Sequence, residues 1–290
     1  MNCIINRRAQ FSASHRYWIP EWSEADNLKH FGPCTQFPGH GHNYVLYVSM
    51  EGALDEYGMV LNLSEVKHTI RQEVISQLDF SYLNEVWSEF RQVLPTTEYM
   101  AKVIWDRLSP HLPIVQIQLF EHPQLWADYF GNDMEAFLTL QTHFSAAHRL
   151  ALPHLSYEEN CEIYGKCARP HGHGHNYHLE VTVKGTIDSR TGMIADLAAL
   201  QGIVKAQVEE PMDHTFLNKD VPYFAEVVPT AENIAVYIRK VLSAPIRETG
   251  ATLHKVKLIE SPNNSAEVYG EDPAESLKLG WDGAHLLVSV

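Results

Sequence analysis

Cysteines, basic residues and long apolar runs are all scarce in this chain of 290 residues. Four cysteines are too few for a disulfide scaffold, so we expect a reducing, cytoplasmic location. No run of about 18 apolar residues and no apolar secretory signal occurs, so we expect neither a membrane partner nor export. With 22 basic against 36 acidic residues, the net charge of −14 disfavours a nucleic-acid partner. A local cluster can still bind a small phosphorylated ligand.

Histidine is abundant instead, with 17 residues, and its clusters belong to an internal repeat. FSASHR at 11–16 recurs as FSAAHR at 144–149, and GHGHNY at 39–44 recurs unchanged at 172–177. A Gly-Met pair, a Leu-Asn pair, a Pro-Thr-x-Glu segment and a strand-final glutamate recur in the same order. We therefore predict two tandem copies of one module. The predicted parts are a first module at 1–132, a second module at 133–275 and a C-terminal tail at 276–290.

Each module is predicted to be α+β, because alternating apolar runs and helical periodicity occur in both copies. Ser64 is a candidate N-cap of the first helix after the second strand. The predicted strands are 4–14, 43–50 and 115–120 in the first copy, and 138–146, 176–184 and 254–259 in the second. The predicted helices are 64–78 and 97–108, and 197–209 and 231–242.

A metal site is predicted from the spacing of three histidines in each copy. His173 and His175 are two residues apart on a predicted strand, so their imidazoles face the same side and can chelate one ion. His148 lies on the preceding strand, which can pair with this one. Three histidine ligands with an open fourth position are typical of catalytic zinc. His15, His40 and His42 repeat the set.

Cys167 is a candidate catalytic base, since it precedes His173 by six residues in a segment of turn formers. A nearby Zn²⁺ and the charge of Lys166 or Arg169 would favour its thiolate. The alternative is an ordinary buried small residue, which is the usual role of a free cysteine. Cys34 occupies the same place in the first copy, and this repetition favours the functional interpretation.

A proton relay is predicted in the second copy only. Asp213 precedes His214, and a carboxylate beside an imidazole can move a proton to or from a substrate. The first copy has Asp79 followed by Phe80, and phenylalanine cannot transfer a proton. Glu260 and Glu121 end apolar strands, where a carboxylate can either accept two N–H bonds from a planar heterocycle or face solvent.

Taken together, these motifs resemble the 6-pyruvoyltetrahydropterin synthase family, closely in the second copy and less so in the first. The resemblance implies a tunnelling fold, in which each module is an antiparallel four-stranded sheet with two helices on one face. It implies Zn²⁺ on His148, His173 and His175. It also implies that Cys167 is the base, that Asp213 and His214 reach it from a neighbouring module, and that Glu260 anchors the pterin. The implied further substrate contacts are Thr230 and Glu232, and the candidate first-module site comprises Cys34, Asp79 and Glu121.

The activity that the resemblance implies is a zinc-dependent lyase of tetrahydropterin biosynthesis, eliminating triphosphate from 7,8-dihydroneopterin triphosphate. One alternative is 6-carboxytetrahydropterin synthase of the queuosine pathway, whose cysteine lies nearer to its His-Gly-His. Cys167 fits both spacings because His171 begins an overlapping His-Gly-His, whereas Cys34 fits only the pyruvoyl-type spacing. His171 is therefore expected to be a surface group or a support of the site rather than a ligand. A different class remains open: a non-catalytic, zinc-stabilised scaffold that binds pterin.

A homo-oligomer is expected, since the family's sites form where modules meet. The preferred form is a homotrimer, in which three first modules close one barrel and three second modules close another. The alternative is a four-module barrel made of two chains. We expect Cys167→Ala to remove nearly all turnover and Cys34→Ala little, because Phe80 leaves the first copy without its relay. If unlike modules alternate, however, His214 can serve Cys34 instead.

Overall fold

The computed structural model describes residues 2–270, so the predicted tail at 276–290 lies outside the described residues. Across these residues, none of the helices combines the length and hydrophobicity that crossing a lipid bilayer requires. Within the described residues, the two copies contain the same ten α-helices and β-strands in the same order. Those of the first copy are β1 (Asn2–His15), α1 (Glu24–Phe31), β2 (His40–Ala53), α2 (Leu63–Ile70), α3 (Ser76–Leu78), β3 (Ser81–Tyr82), α4 (Leu83–Val86), α5 (Thr97–Leu108), β4 (Ile114–His122) and β5 (Leu125–Tyr129).

The second copy repeats this order. Its elements are β6 (Glu135–His148), α6 (Tyr157–Tyr164), β7 (His173–Thr186), α7 (Leu197–Val204), α8 (Glu210–Met212), β8 (Thr215–Phe216), α9 (Leu217–Asp220), α10 (Ala231–Glu248), β9 (Thr252–Ser261) and β10 (Asn264–Tyr269). The α+β prediction and the tandem duplication are both confirmed.

The long strands of each copy form a hydrogen-bonded sheet, and the strand order is the same in both copies. In the first copy the order is β1-β2-β4-β5, all antiparallel, and the two-residue strand β3 pairs in parallel with β1. In the second copy the order is β6-β7-β9-β10, with β8 parallel to β6. Alternate residues of β2, from Tyr44 to Met50, are buried, and α5 packs against β4 and β5. The sheet thus holds the ends of β1 and β2 together on a rigid base.

Two compact units divide the described chain, and they do not follow the repeat boundary. The first unit comprises residues 2–142, 182–206 and 244–252. The second unit comprises residues 143–181, 207–243 and 253–270. Segments of the second copy are therefore packed in one body with the first copy.

One strand pairing in the first unit bears on the expected assembly. β5 pairs antiparallel with the first half of β6, from Leu125 opposite Leu140 to Asp128 opposite Phe137. The last strand of the first copy is therefore already bonded to the first strand of the second copy. A barrel made only of first modules needs β5 to be free for another first module, so this pairing favours first and second modules as neighbours, and the homotrimer stays a prediction.

Local differences from the sequence prediction have identifiable causes. The N-cap of α2 is Asn62 and not Ser64, because the Asn62 side chain accepts a hydrogen bond from the Ser64 amide at 2.9 Å. The helix then passes through a π-helical turn at Arg71–Ile75, and the second copy has the matching turn at Lys205–Glu209. The helices α1 and α6 were not predicted, although α6 begins with a capping box formed by Ser156 and Glu159.

Candidate metal-dependent active sites

The first histidine triad lies where β1 and β2 end side by side. His15 is directly opposite His40 in the antiparallel ladder, and His42 is opposite Ala13. The Nε2 atoms of His15 and His40 are 3.2 Å apart, and one ring nitrogen from each of the three histidines lies within 4.8 Å of the others. Gly41 permits this approach, because a Cβ there would lie 2.9 Å from the Ala13 carbonyl oxygen. The predicted chelate geometry is therefore present.

The second triad has the same geometry. The Nε2 atoms of His148 and His173 are 3.1 Å apart, and with His175 they form a group whose ring nitrogens lie within 4.8 Å of one another. His148 donates from Nδ1 to the Pro229 carbonyl at 2.7 Å. The neutral ring therefore has its lone pair on Nε2, where it can bind a metal. His171 is exposed and outside this group, as predicted.

The donor sets fit a tetrahedral zinc ion. Two nitrogens bound to one Zn²⁺ at ~2.05 Å lie ~3.3 Å apart, close to the separations found here. Among the described residues, the Nε2 atoms of His42 and His175 are buried without a hydrogen-bond partner. Burial lowers the pKa of His15 to about 3, and it also lowers the pKa values of His40, His42, His148 and His173. These rings are therefore neutral near pH 7, as ligands must be.

A glutamate stands beside each triad, at the end of β4 and of β9. Glu121 is buried, and Oε1 lies 3.3 Å from His42 Nε2 while Oε2 accepts a hydrogen bond from the Thr97 hydroxyl at 2.7 Å. Burial raises the pKa of Glu121. Glu260 Oε1 lies 3.8 Å from His175 Nε2, but alanine replaces Thr97 in the second copy. Only the first glutamate is held by a hydroxyl.

The two candidate thiols occupy matching turns. Cys34 Sγ lies 3.9 Å from His40 Nε2, and the Cys34 carbonyl accepts a hydrogen bond from the Tyr17 amide at 2.9 Å. The Cys167 carbonyl accepts from the Leu150 amide at 3.0 Å, and both thiols are half-buried. Burial, and then the charge of Glu121, raises the pKa of the Cys34 thiol to about 11. A cation on the neighbouring triad would favour the thiolate.

The relay pair is formed as predicted. His214 Nδ1 lies 2.8 Å from Asp213 Oδ2, and Asp213 Oδ1 accepts from the Ser145 amide at 2.8 Å. The Ser145 hydrogen bond, followed by His214, lowers the pKa of Asp213. The His214 side chain is 83% exposed, and its backbone has a φ of 57°, in the left-handed region. The ring is thus exposed to solvent in the described chain.

The first copy builds the same turn around a different side chain. Phe80 also has a φ of 57°, and Asp79 Oδ1 accepts from the Ser12 amide at 2.9 Å. Phe80 is 90% exposed, like the histidine it replaces. The backbone that would present a relay is retained there without the group that carries the proton.

Among the described residues, the Asp213–His214 pair makes no contact with the thiol of its own copy. Within residues 2–270, neither a hydrogen bond nor an ion pair joins His214 to Cys167. β8, which follows the relay, pairs with β6 on the edge opposite β7, whereas His173 and His175 lie on β7. The relay therefore lies at the outer edge of its own copy, and its reach to a neighbouring module stays a prediction.

Residues 192–194 form an unpredicted wall of the first site. The Thr96 hydroxyl donates to the Gly192 carbonyl, and the Ile194 amide donates to Glu98 Oε1 at 3.3 Å. Met193 packs, together with Cys34, against a buried cluster, whose members are Tyr17, Ile19, Phe31 and Leu94. Burial raises the pKa of Glu98 to about 7. The sequence contained one signal of this wall, because its Gly-Met pair recurs at Gly58 and Met59.

The second site is open at the corresponding place. Thr230, the counterpart of Thr96, is half-buried and caps α10 by accepting from the Asn233 amide at 3.3 Å. Glu232, the counterpart of the buried Glu98, is exposed. The predicted substrate-binding residues Thr230 and Glu232 thus border a site whose wall is not supplied by the second unit itself.

Comparison with known proteins identifies the family of both copies. The sequence model of the 6-pyruvoyl tetrahydropterin synthase family matches residues 4–132 and again 137–271. The human 6-pyruvoyl tetrahydrobiopterin synthase is 46% identical over 145 residues, covering 49% of this chain and 96% of its own. A putative 6-carboxy-5,6,7,8-tetrahydropterin synthase of Archaeoglobus fulgidus is 31% identical over 134 residues, covering 46% of this chain and 96% of its own.

Among solved structures, the Caenorhabditis elegans 6-pyruvoyl tetrahydropterin synthase is 38% identical, with a TM-score of 0.45, and covers 47% of this chain and 96% of its own. The family sequence model accounts for nearly all of the described chain in two successive matches. The chain therefore belongs to the 6-pyruvoyl tetrahydropterin synthase family, as a tandem pair of family domains, and is a lyase of that family.

Proposed function

We propose that the protein is a zinc-dependent 6-pyruvoyltetrahydropterin synthase acting on 7,8-dihydroneopterin triphosphate. The observation that carries the proposal is the cluster beside His40. A three-histidine donor set, a thiol 3.9 Å from His40 Nε2 and a buried glutamate 3.3 Å from His42 Nε2 converge on one small volume. These are the groups needed to orient a heterocycle and to move a proton on its side chain.

The residues divide the work between binding and proton transfer. Bound to a triad, zinc would supply Lewis acidity to the side-chain oxygens of the substrate and so acidify the neighbouring C–H bonds. Glu121 is placed to accept N–H bonds from the pterin ring, with Thr97 fixing the carboxylate. A thiolate at the Cys34 or Cys167 position removes a carbon-bound proton. The Asp213–His214 pair delivers a proton as the C–O bond to triphosphate breaks.

The pyruvoyl-type product is favoured over the carboxy-type product by two observations. The human pyruvoyl-type relative is 46% identical, against 31% for the archaeal carboxy-type relative. The second triad uses His173 and His175 and leaves His171 exposed, so the metal register is the one with the longer cysteine spacing.

The test is to incubate the zinc-loaded protein with 7,8-dihydroneopterin triphosphate and to identify the product by mass spectrometry. We expect release of triphosphate and a pterin that retains every side-chain carbon. A pterin shortened to a carboxylate at this position would show the carboxy-type reaction. Zinc-dependent pterin binding without triphosphate release, in the wild type and in Glu121→Gln alike, would show a non-catalytic scaffold.

A further inference from the structure

A segment after the second long strand is buried in the second copy, whereas its counterpart in the first copy is largely exposed. In the second copy Gly192, Ile194 and Ala195 are buried, and Ile194 is 6% exposed. Gly192 and Ile194 contact Thr96 and Glu98 of the first copy. Their counterparts in the first copy, residues 58–61, form part of an exposed apolar segment at 54–63. Its most exposed members are Leu54, Tyr57, Met59 and Leu63, and Tyr57 is 76% exposed.

The surface that receives residues 192–196 in the first copy is likewise open in the second. Within the first unit, α1 packs against α7, and His30 Nδ1 lies 3.0 Å from Asp196 Oδ2. The counterpart of α1 is α6, where Ile163 replaces His30 and is exposed. Asn62 is the counterpart of Asp196. The pair His30–Asp196 therefore corresponds to Ile163 and Asn62, which are both uncharged.

Among the described strands, unpaired edges occur at β10 and β1. β5 and β6 pair in the first unit, and their counterparts are β10 and β1. Among the described strands, β10 has only β9 as a neighbour, and the outer edge of β1 pairs only at Ala13 and Ser14. Ile4 is exposed, whereas its counterpart Phe137 is half-buried opposite Asp128. Unpaired edges of this kind are templates for another strand.

We propose that two copies of this chain associate head to tail, repeating between chains the contact that the first unit makes within one chain. β10 of each chain pairs antiparallel with β1 of the other, and residues 54–63 of each chain cover the second site of the other. The register follows from the pairing of β5 with β6. It places Asn264 opposite Arg7, Ala266 opposite Ile5 and Glu267 opposite Ile4.

The alternation of first and second copies decides which thiol the relay serves, a consequence that rests on the proposed function. In a closed pair of chains, first and second copies alternate, so every neighbour of a second copy is a first copy. Asp213 and His214 then reach a Cys34 and never a Cys167. Cys167 receives Asp79 and Phe80, which cannot transfer a proton. The sequence expectation of Cys167 as the working base is thereby replaced by Cys34.

Light scattering coupled to size exclusion tests the association without substrate. We expect the mass of two 33.0 kDa chains for the wild type and for Met59→Leu. Met59→Glu introduces a charge into the contact and should give single chains, while the exposed control Val236→Glu should stay paired. A wild type of one or three chains, or a paired Met59→Glu, would overturn the proposal. Circular dichroism checks that Met59→Glu is folded.

Cross-linking tests the register independently. In a Cys3→Ser background, Ile5→Cys with Ala266→Cys places two thiols opposite each other on neighbouring strands, within the Cα separation that a disulfide spans. Oxidation should convert most of the protein to covalent two-chain species. The control pairs Ile5→Cys with Val268→Cys, which shifts the register by two residues, and should give little. Equal yields, or none from the matched pair, would refute the pairing even if the protein proves active.

Discussion

The first and second copies share a backbone but not a set of functional groups. Both have the three-histidine site, the neighbouring thiol and the strand-final glutamate. The first copy has the Thr97 hydroxyl on its glutamate and a covering wall at 192–194. The second copy has the relay histidine, which the first replaces with Phe80 at the same φ. The groups that the proposed reaction needs are thus divided between the two copies.

The largest expected effect comes from removing a metal ligand. His40→Ala and His173→Ala should each lower bound zinc by about one ion per chain, as measured by plasma emission spectroscopy, because each breaks one three-histidine donor set. In the alternating assembly, only His40→Ala also abolishes turnover. Undiminished zinc in either variant would refute the corresponding site. Activity lost in His173→Ala but kept in His40→Ala would reverse the roles of the copies.

The second largest effect is expected for the relay. His214→Phe gives the second copy the Asp-Phe pair that the first copy has at Asp79 and Phe80. It should lower kcat about 10²–10⁴-fold, the usual contribution of general acid–base catalysis. Because the exposed Phe80 transfers no proton, Phe80→Leu is the matched control and should retain wild-type turnover. Steady-state release of triphosphate measures both. A fall of less than about tenfold in His214→Phe would exclude a role in the proton transfer.

The third effect concerns stability and the wall of the first site. The folded protein keeps the proton of Glu98 to about pH 7, above its ordinary value of 4.5. The contribution of neutral Glu98 to the free energy of unfolding is complete below about pH 4.5 and is lost as the pH rises to about 7. The difference is about 3 kcal/mol. Glu98→Gln cannot ionise, so wild-type stability should fall relative to this variant across that range.

Urea denaturation at about pH 5 and about pH 8 measures the difference. The exposed Glu248→Gln is the control and should keep the wild-type pH dependence. Parallel curves for the wild type and Glu98→Gln would show that Glu98 is not buried as a neutral acid.

The smallest expected effect is a gain in turnover from Phe80→His. Asp79 is already held by the Ser12 amide, so Phe80→His supplies the one missing member of a relay. In the alternating assembly this completes the Cys167 site, and turnover should rise by about twofold at most. Adding Ala231→Thr restores the hydroxyl that Glu260 lacks and should help the second site further. Unchanged turnover in the double variant would show that the second site lacks more than these two groups.

Much of the site follows from the sequence because its spacing is local. Histidines two residues apart on a strand must share a face, and the repeat confirmed that the pattern is not accidental. β5 and β10 escaped prediction because they are short and follow β4 and β9 after tight turns. The wall at 192–194 could not be foreseen, since the contact of Ile194 with Glu98 depends on which distant segments fold into one unit.

The comparison of Cys34→Ala with Cys167→Ala shows which of the two thiols acts as the base. Both thiols are half-buried and lie in matching turns, so the two variants perturb their sites equally. We expect Cys34→Ala to lower kcat by about 10²-fold or more, whereas Cys167→Ala keeps at least about half of the wild-type kcat. The opposite result, with turnover lost in Cys167→Ala and kept in Cys34→Ala, would contradict this expectation.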